Sequence, residues 1–124
     1  RYSLFDKPVD RLSAGGMQRL RGILERITPV EDLVTIEVIG HRQRNPKDVA
    51  QGKTSEWGLS VQDAAAVADF MVENGIKRDV LSIRGLADQD PLFPEKDFQG
   101  ADLPTNRSLN ERIEIILRKK RSST

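Results

Sequence analysis

The chain has no cysteine and only one histidine, one tryptophan and one tyrosine among its 124 residues. The missing thiol removes disulfides, thiolate metal sites and a cysteine nucleophile together. It does not decide the compartment, because proteins on either side of a bacterial inner membrane can lack cysteine. The lone His41 makes a poor metal site, since zinc takes several protein ligands at once. A dominant charge is absent too: 20 basic and 19 acidic residues leave a net charge of +1. No global field therefore draws the chain to nucleic acid or anionic lipid. No apolar run approaches the roughly 20 residues of a membrane-spanning helix. Aromatic residues amount to 5%, too few for a base-stacking surface beside the basic Arg118–Arg121 run. No Ser-His-Asp set, phosphate-binding glycine loop or HExxH motif occurs, and the expectation is a binding or structural domain, not an enzyme.

What is present is the composition of an ordinary folded domain, 37% hydrophobic and 31% charged, of a size that closes around one core. The pattern predicts a domain over residues 1–118 and a solvated basic tail at 119–124. The chain starts on a strand-like segment, Tyr2–Phe5, as a domain cut from a longer, anchored protein would. Ser13 can cap a helix whose apolar Met17, Leu20, Ile23, Leu24 and Ile27 share one face, and Pro29 stops it. Leu33–Ile39 is β-branched and apolar apart from Thr35 and Glu37, which suits a central strand closing at Gly40. Residues 41–58 carry Pro46, Gly52 and Gly58 without periodicity and predict a long loop. A second helix follows, with Ser60 as cap, apolar Val61, Ala64, Ala65, Ala68, Met71 and Val72, and Gly75 at the left-handed C-terminal position. Val80–Arg84 predicts a strand, Gly85 to Pro104 a second long loop, Thr105–Asn110 a short helix and Arg112–Leu117 a last strand. The order β-α-β-α-β-(α)-β predicts an α+β two-layer sandwich, with two main helices on one face of a mixed sheet.

Several motifs along this frame occur together. Gly40-His41 matches the start of a Gly-His-Thr-Asp motif, and Leu59-Ser60 with Ala64 matches Leu-Ser-x-x-Arg-Ala. Gly85–Leu92 parallels Gly-Tyr-Gly-Glu-x-x-Pro-Leu, and Arg107–Ile115 parallels Arg-x-x-Asn-Arg-Arg-Val-Glu-Ile. In these residues the chain resembles the OmpA-like peptidoglycan-binding domain over nearly its whole length. The long loop before Leu59, and Trp57 just ahead of Leu59-Ser60, make it most similar to the periplasmic domain of MotB-type stator subunits. Its Gly85–Asn110 loop is longer than in either type. The resemblance implies a periplasmic domain of a bacterial inner-membrane protein, often a homodimer, holding the peptide stem of peptidoglycan. For the stator branch it further implies a membrane partner subunit, met through a segment absent from this chain.

The resemblance also implies where a ligand would sit. In such domains an Asp closing Gly-His-Thr-Asp and an Arg on the second helix grip diaminopimelate: a carboxylate for its ammonium and a guanidinium fork for its carboxylate. In this chain the Asp position is Gln43 and the Arg position is Asp63, while Glu56 falls where an Asn usually precedes the Leu-Ser pair. Losing one side of a desolvated charged contact commonly costs ~2–5 kcal/mol, so recognition in the usual pose is expected to be weakened or lost.

Two readings of these residues stay open. Ser60-x-x-Asp63 has the spacing of a capping box, which would make Asp63 a helix-start residue. Alternatively the pocket is rebuilt, with Arg42 or Arg44 supplying a cation, Glu56 or Asp63 meeting an ammonium, and Arg107 or Arg112 adding charge. Solvation alone would explain loop arginines equally well. By family position the candidate peptidoglycan contacts are His41, Arg42, Gln43, Arg44, Glu56, Leu59, Ser60, Asp63, Arg107, Asn110 and Arg112; no catalytic residue, metal or cofactor is expected. His41 reads as a packing residue or a pH-responsive one. The acids from Asp88 to Asp102 lack the spacing of a calcium loop. Two functions compete: a noncovalent wall anchor, or a dimerisation and docking module that has lost wall affinity.

Overall fold

A computed structural model describes residues 13–43, 52, 55–90, 98–101 and 111–120. The predicted Tyr2–Phe5 strand and Thr105–Asn110 helix lie outside the described residues. Helix α1 spans Ala14–Ile27 and starts as expected: the Ser13 hydroxyl accepts the Gly16 N–H at 2.9 Å. Leu20, Leu24 and Ile27 are buried, whereas Ile23 lies at the rim. Pro29 ends the α-helical ladder, and the chain continues as a 3₁₀ turn over Thr28–Leu33, where a proline at the start forfeits no needed donor.

Among the described residues, strand β1 (Val34–His41) is central in a sheet of three strands. Strand β2 (Leu81–Gly85) pairs with it in parallel, from Ile36 opposite Leu81 to Gly40 opposite Gly85. Strand β3 (Arg112–Lys119) pairs on the other side in antiparallel sense, from Val34 opposite Lys119 to His41 opposite Arg112. It runs beyond the predicted Leu117, and the Lys120 N–H still donates to the Leu33 carbonyl at 2.9 Å. Helix α2 (Ser55–Glu73) forms the crossover that a parallel pair requires. Ile36 and Val38 face a core built with Leu20, Leu24, Ile27, Val67, Phe70 and Met71 from the two helices. The result is the two-layer α+β arrangement the element order predicts.

The start of α2 corrects the sequence reading. The helix begins at Ser55, with Glu56 as the acid of its first turn, so Ser60 is an interior residue and not the cap. Residues 41–58 are accordingly no uniform loop, since His41 belongs to β1 and Ser55–Gly58 to α2. The buried stripe is rotated as well. It runs through Ser60, Asp63, Ala64, Val67, Phe70 and Met71, while Val61 and Val72 are exposed. Polar Ser60 and Asp63 can face inward because the segments just past β2 and β1 offer each a partner there, Ala87 for Ser60 and Arg42 for Asp63. The C-terminal end follows expectation: Gly75 has φ 103°, and the Ile76 N–H donates to the Met71 carbonyl at 3.0 Å in a Schellman closure.

Candidate functional site

The carboxyl ends of parallel β1 and β2, the first turns of α2 and the start of β3 converge at one end of the sheet. Crevices outside the carboxyl ends of parallel strands are the usual ligand location in sheets with helical crossovers. The convergence begins with glycine. Gly40 and Gly85 lie opposite each other, and a Cβ at Gly40 would overlap the Ser60 carbonyl oxygen. A Cβ at Gly85 would fall 2.6 Å from the Ser60 hydroxyl. The bare backbone therefore lets α2 approach the strand ends closely. Fully buried Ser60 donates its hydroxyl to the Trp57 carbonyl at 2.9 Å and accepts the Ala87 N–H at 3.2 Å. Ala87 is held at φ 52°, a left-handed conformation costly for alanine. Its carbonyl accepts the Arg42 N–H at 2.9 Å.

On this scaffold Arg42 meets Asp63. The guanidinium forks onto the carboxylate, Nε to Oδ2 at 2.5 Å and Nη2 to Oδ1 at 3.0 Å. Both side chains are largely desolvated, 11% and 6% exposed. This overturns two of the bland expectations. Asp63 lies well inside α2 and is no capping-box residue, and Arg42 is no solvated loop cation. A carboxylate and a guanidinium do face each other here, with the cation on the strand end and the anion on the helix.

Gln43 follows directly. Its backbone N–H donates to Glu111 Oε1 at 3.3 Å, which ties the end of β1 to the residue before β3. Its side-chain amide is different: Nε2 and Oε1 are both shielded from solvent and neither has a hydrogen-bond partner. Glu56 is buried in the first turn of α2, Leu59 is half-buried, and Trp57 is 44% exposed. Arg44, Arg107 and Asn110 lie outside the described residues.

His41 points to the sheet face away from the helices and is 2% exposed. Glu114 Oε1 comes within 2.7 Å of its Nε2, yet neither ring nitrogen has a directed hydrogen bond. The contact is thus a close approach and not an aligned N–H···O bond. Burial first, then the nearby Arg112 guanidinium, hold the imidazole below its usual pKa, against the opposing pull of Glu114 and Asp90. Arg112 donates from Nη2 to Glu114 Oε1 at 2.7 Å and to the Asp90 carbonyl at 3.0 Å. It braces the segment after β2 against β3. Among the described residues no group of three or more His, Cys, Asp or Glu could hold a metal ion.

Sequence reasoning assigned no role to Ala87, Glu111 or Glu114. Ala87 could have been found, because it occupies the second glycine of the Gly-Tyr-Gly-Glu pattern, a place that asks for positive φ.

A mixed sheet with its two helices on one face, β1 and β2 joined by a crossover helix, defines an α+β domain of two layers. The chain belongs to the OmpA family, whose model matches residues 4–102. It is 28% identical over 115 residues to the photosystem I chlorophyll a apoprotein A2 of Gloeobacter violaceus, covering 92% of this chain and 12% of that protein. The chain thus spans a small part of that relative's length. Its fold is that of the C-terminal domain of Helicobacter pylori MotB, at TM-score 0.72 and 20% identity over 97% of this chain and 82% of that one. The cell wall anchor of the T6SS from Pseudomonas aeruginosa aligns at TM-score 0.68 and 20% identity, covering 90% of this chain and 71% of that one.

Proposed function

We propose that this chain is a noncovalent peptidoglycan-binding domain, the periplasmic anchor of a bacterial inner-membrane protein, with altered diaminopimelate recognition. Membership of the OmpA family supports the wall as ligand, as does the likeness to MotB and to a secretion-system wall anchor. The observation that carries the altered recognition is the Arg42–Asp63 fork, which matches two opposite charges to each other inside the site. The working unit is a binding module and not a catalyst. By analogy with MotB it acts as a homodimer, joined to a stator-like or secretion-associated membrane complex.

The same ion pair favours a second reading, in which the fold persists as a dimerisation or docking module without wall affinity. Co-sedimentation with purified sacculi separates the two. The comparison is an Arg42→Thr/Gln43→Asp/Asp63→Arg variant, which restores the usual clamp. Arg42 must change with the others, because otherwise two guanidinium groups would face each other. Sedimentation of the native chain supports the anchor with a rebuilt pocket. Sedimentation of the triple variant alone would overturn it in favour of docking.

A further inference from the structure

We propose that Gln43 is a ligand-reading residue and that the group it takes is an amide, a carboxamide or peptide bond of the wall peptide, in place of a charged amine. The inference rests on the anchoring reading. A buried donor and acceptor with no partner are exceptions that call for an explanation, since folding has stripped their water without replacing it. Gln43 carries both on one side chain. Its backbone is fixed on both sides: Arg42 N–H bonds the Ala87 carbonyl, and Gln43 N–H bonds Glu111. The backbone that carries the amide is therefore held in place.

The surrounding charges select the chemistry. The carboxylate of Asp63 is engaged by Arg42, so an incoming ammonium would have to compete with a bidentate guanidinium. A neutral carboxamide does not. Its planar pairing of one N–H and one carbonyl is self-complementary, so a second amide satisfies Gln43 Oε1 and Nε2 together. Two neutral hydrogen bonds made in a desolvated site discriminate strongly against a ligand that cannot return both.

The test uses the whole chain and two soluble wall fragments, a diaminopimelate-containing stem peptide with its side-chain carboxyl free and the same peptide amidated. Calorimetry gives affinities, and the Gln43 side-chain NH₂ signals report contact by NMR. The comparison is Gln43→Met, which keeps length and removes donor and acceptor. The expected result is that Gln43→Met weakens binding by about tenfold, the scale of one to two hydrogen bonds, and that ligand moves the wild-type NH₂ signals. Tighter binding of the amidated peptide identifies the side-chain carboxamide as the partner; equal loss for both peptides identifies the peptide bond. The variant should melt no lower than wild type, since it removes an unpartnered amide. Unchanged affinity in Gln43→Met, with sacculi still bound, would sink the amide reading and leave the anchor standing. Absence of binding to sacculi and to both peptides by the folded wild type would remove the anchor reading and this one with it.

Discussion

Moving a cation from the helix to the strand end changes what a carboxylate at position 63 does. Asp63 becomes the inward partner of Arg42 and a fixed part of the contact between α2 and β1. Removing one member of a desolvated pair strands the other, at about 3–5 kcal/mol, whereas replacing both by apolar groups is often neutral. Asp63→Ala is therefore expected to lose about 3–5 kcal/mol in urea unfolding, and Arg42→Met/Asp63→Leu to recover most of it. Additive losses in that double-mutant cycle would mean the pair contributes nothing as a pair. The capping reading of Asp63 failed for a reason a sequence hides. The Ser-x-x-Asp spacing is real, but a cap needs a helix start, and this helix starts at Ser55.

Elements were legible where a single periodicity or terminator controlled them. Ser13 opened α1 and Gly75 closed α2 as predicted, because caps are local chemistry. The first turn of α2 was not legible. Trp57 and Gly58 break the apolar period, and Gly58 reads as a loop residue, although inside a helix it costs only about 1 kcal/mol. The inward face of α2 was misread for a related reason, since Ser60 and Asp63 become core residues only once the sheet brings Gly40, Gly85 and Arg42 beside them. That contact gives a prediction for the element pair. Gly40→Ala drives a methyl into Ser60 backbone, which cannot rotate away, so a loss of at least ~1–3 kcal/mol is expected in thermal or urea unfolding. In Gly85→Ala the methyl meets the Val61 and Ser60 side chains and the Val61 backbone nitrogen, none nearer than 2.5 Å and so a lesser overlap than at Gly40, and the change should cost less. Equal costs would show that α2 shifts as a unit.

For the whole molecule, the layer order and the three described strands followed from hydrophobic pattern and length. The charge wiring of the site did not, because Arg42–Asp63 and His41–Glu114 depend on which elements meet at the sheet end. The buried imidazole sets a global consequence. Its folded pKa lies below the usual value, so the unfolded chain binds the proton more readily, and stability falls as pH drops through the histidine range. Melting temperature should therefore decline from about pH 7.5 to about pH 5.5, before most carboxylates titrate. His41→Asn should flatten that decline. A melting point independent of pH over this window would place the imidazole in a more solvated setting than the structure shows.

The pairing of β1 with β3 joins residues about 70 to 85 positions apart along the chain, while the β1–α2–β2 unit closes much sooner. Contacts of such long sequence separation form slowly, since loop closure precedes any return from pairing. During synthesis the long side of β1 facing β3 therefore stays open until β3 arrives. A chaperone able to shield a β-branched edge would act in that interval, and chains cut short before Arg112 would enter it without a way out, as candidates for edge-to-edge aggregation.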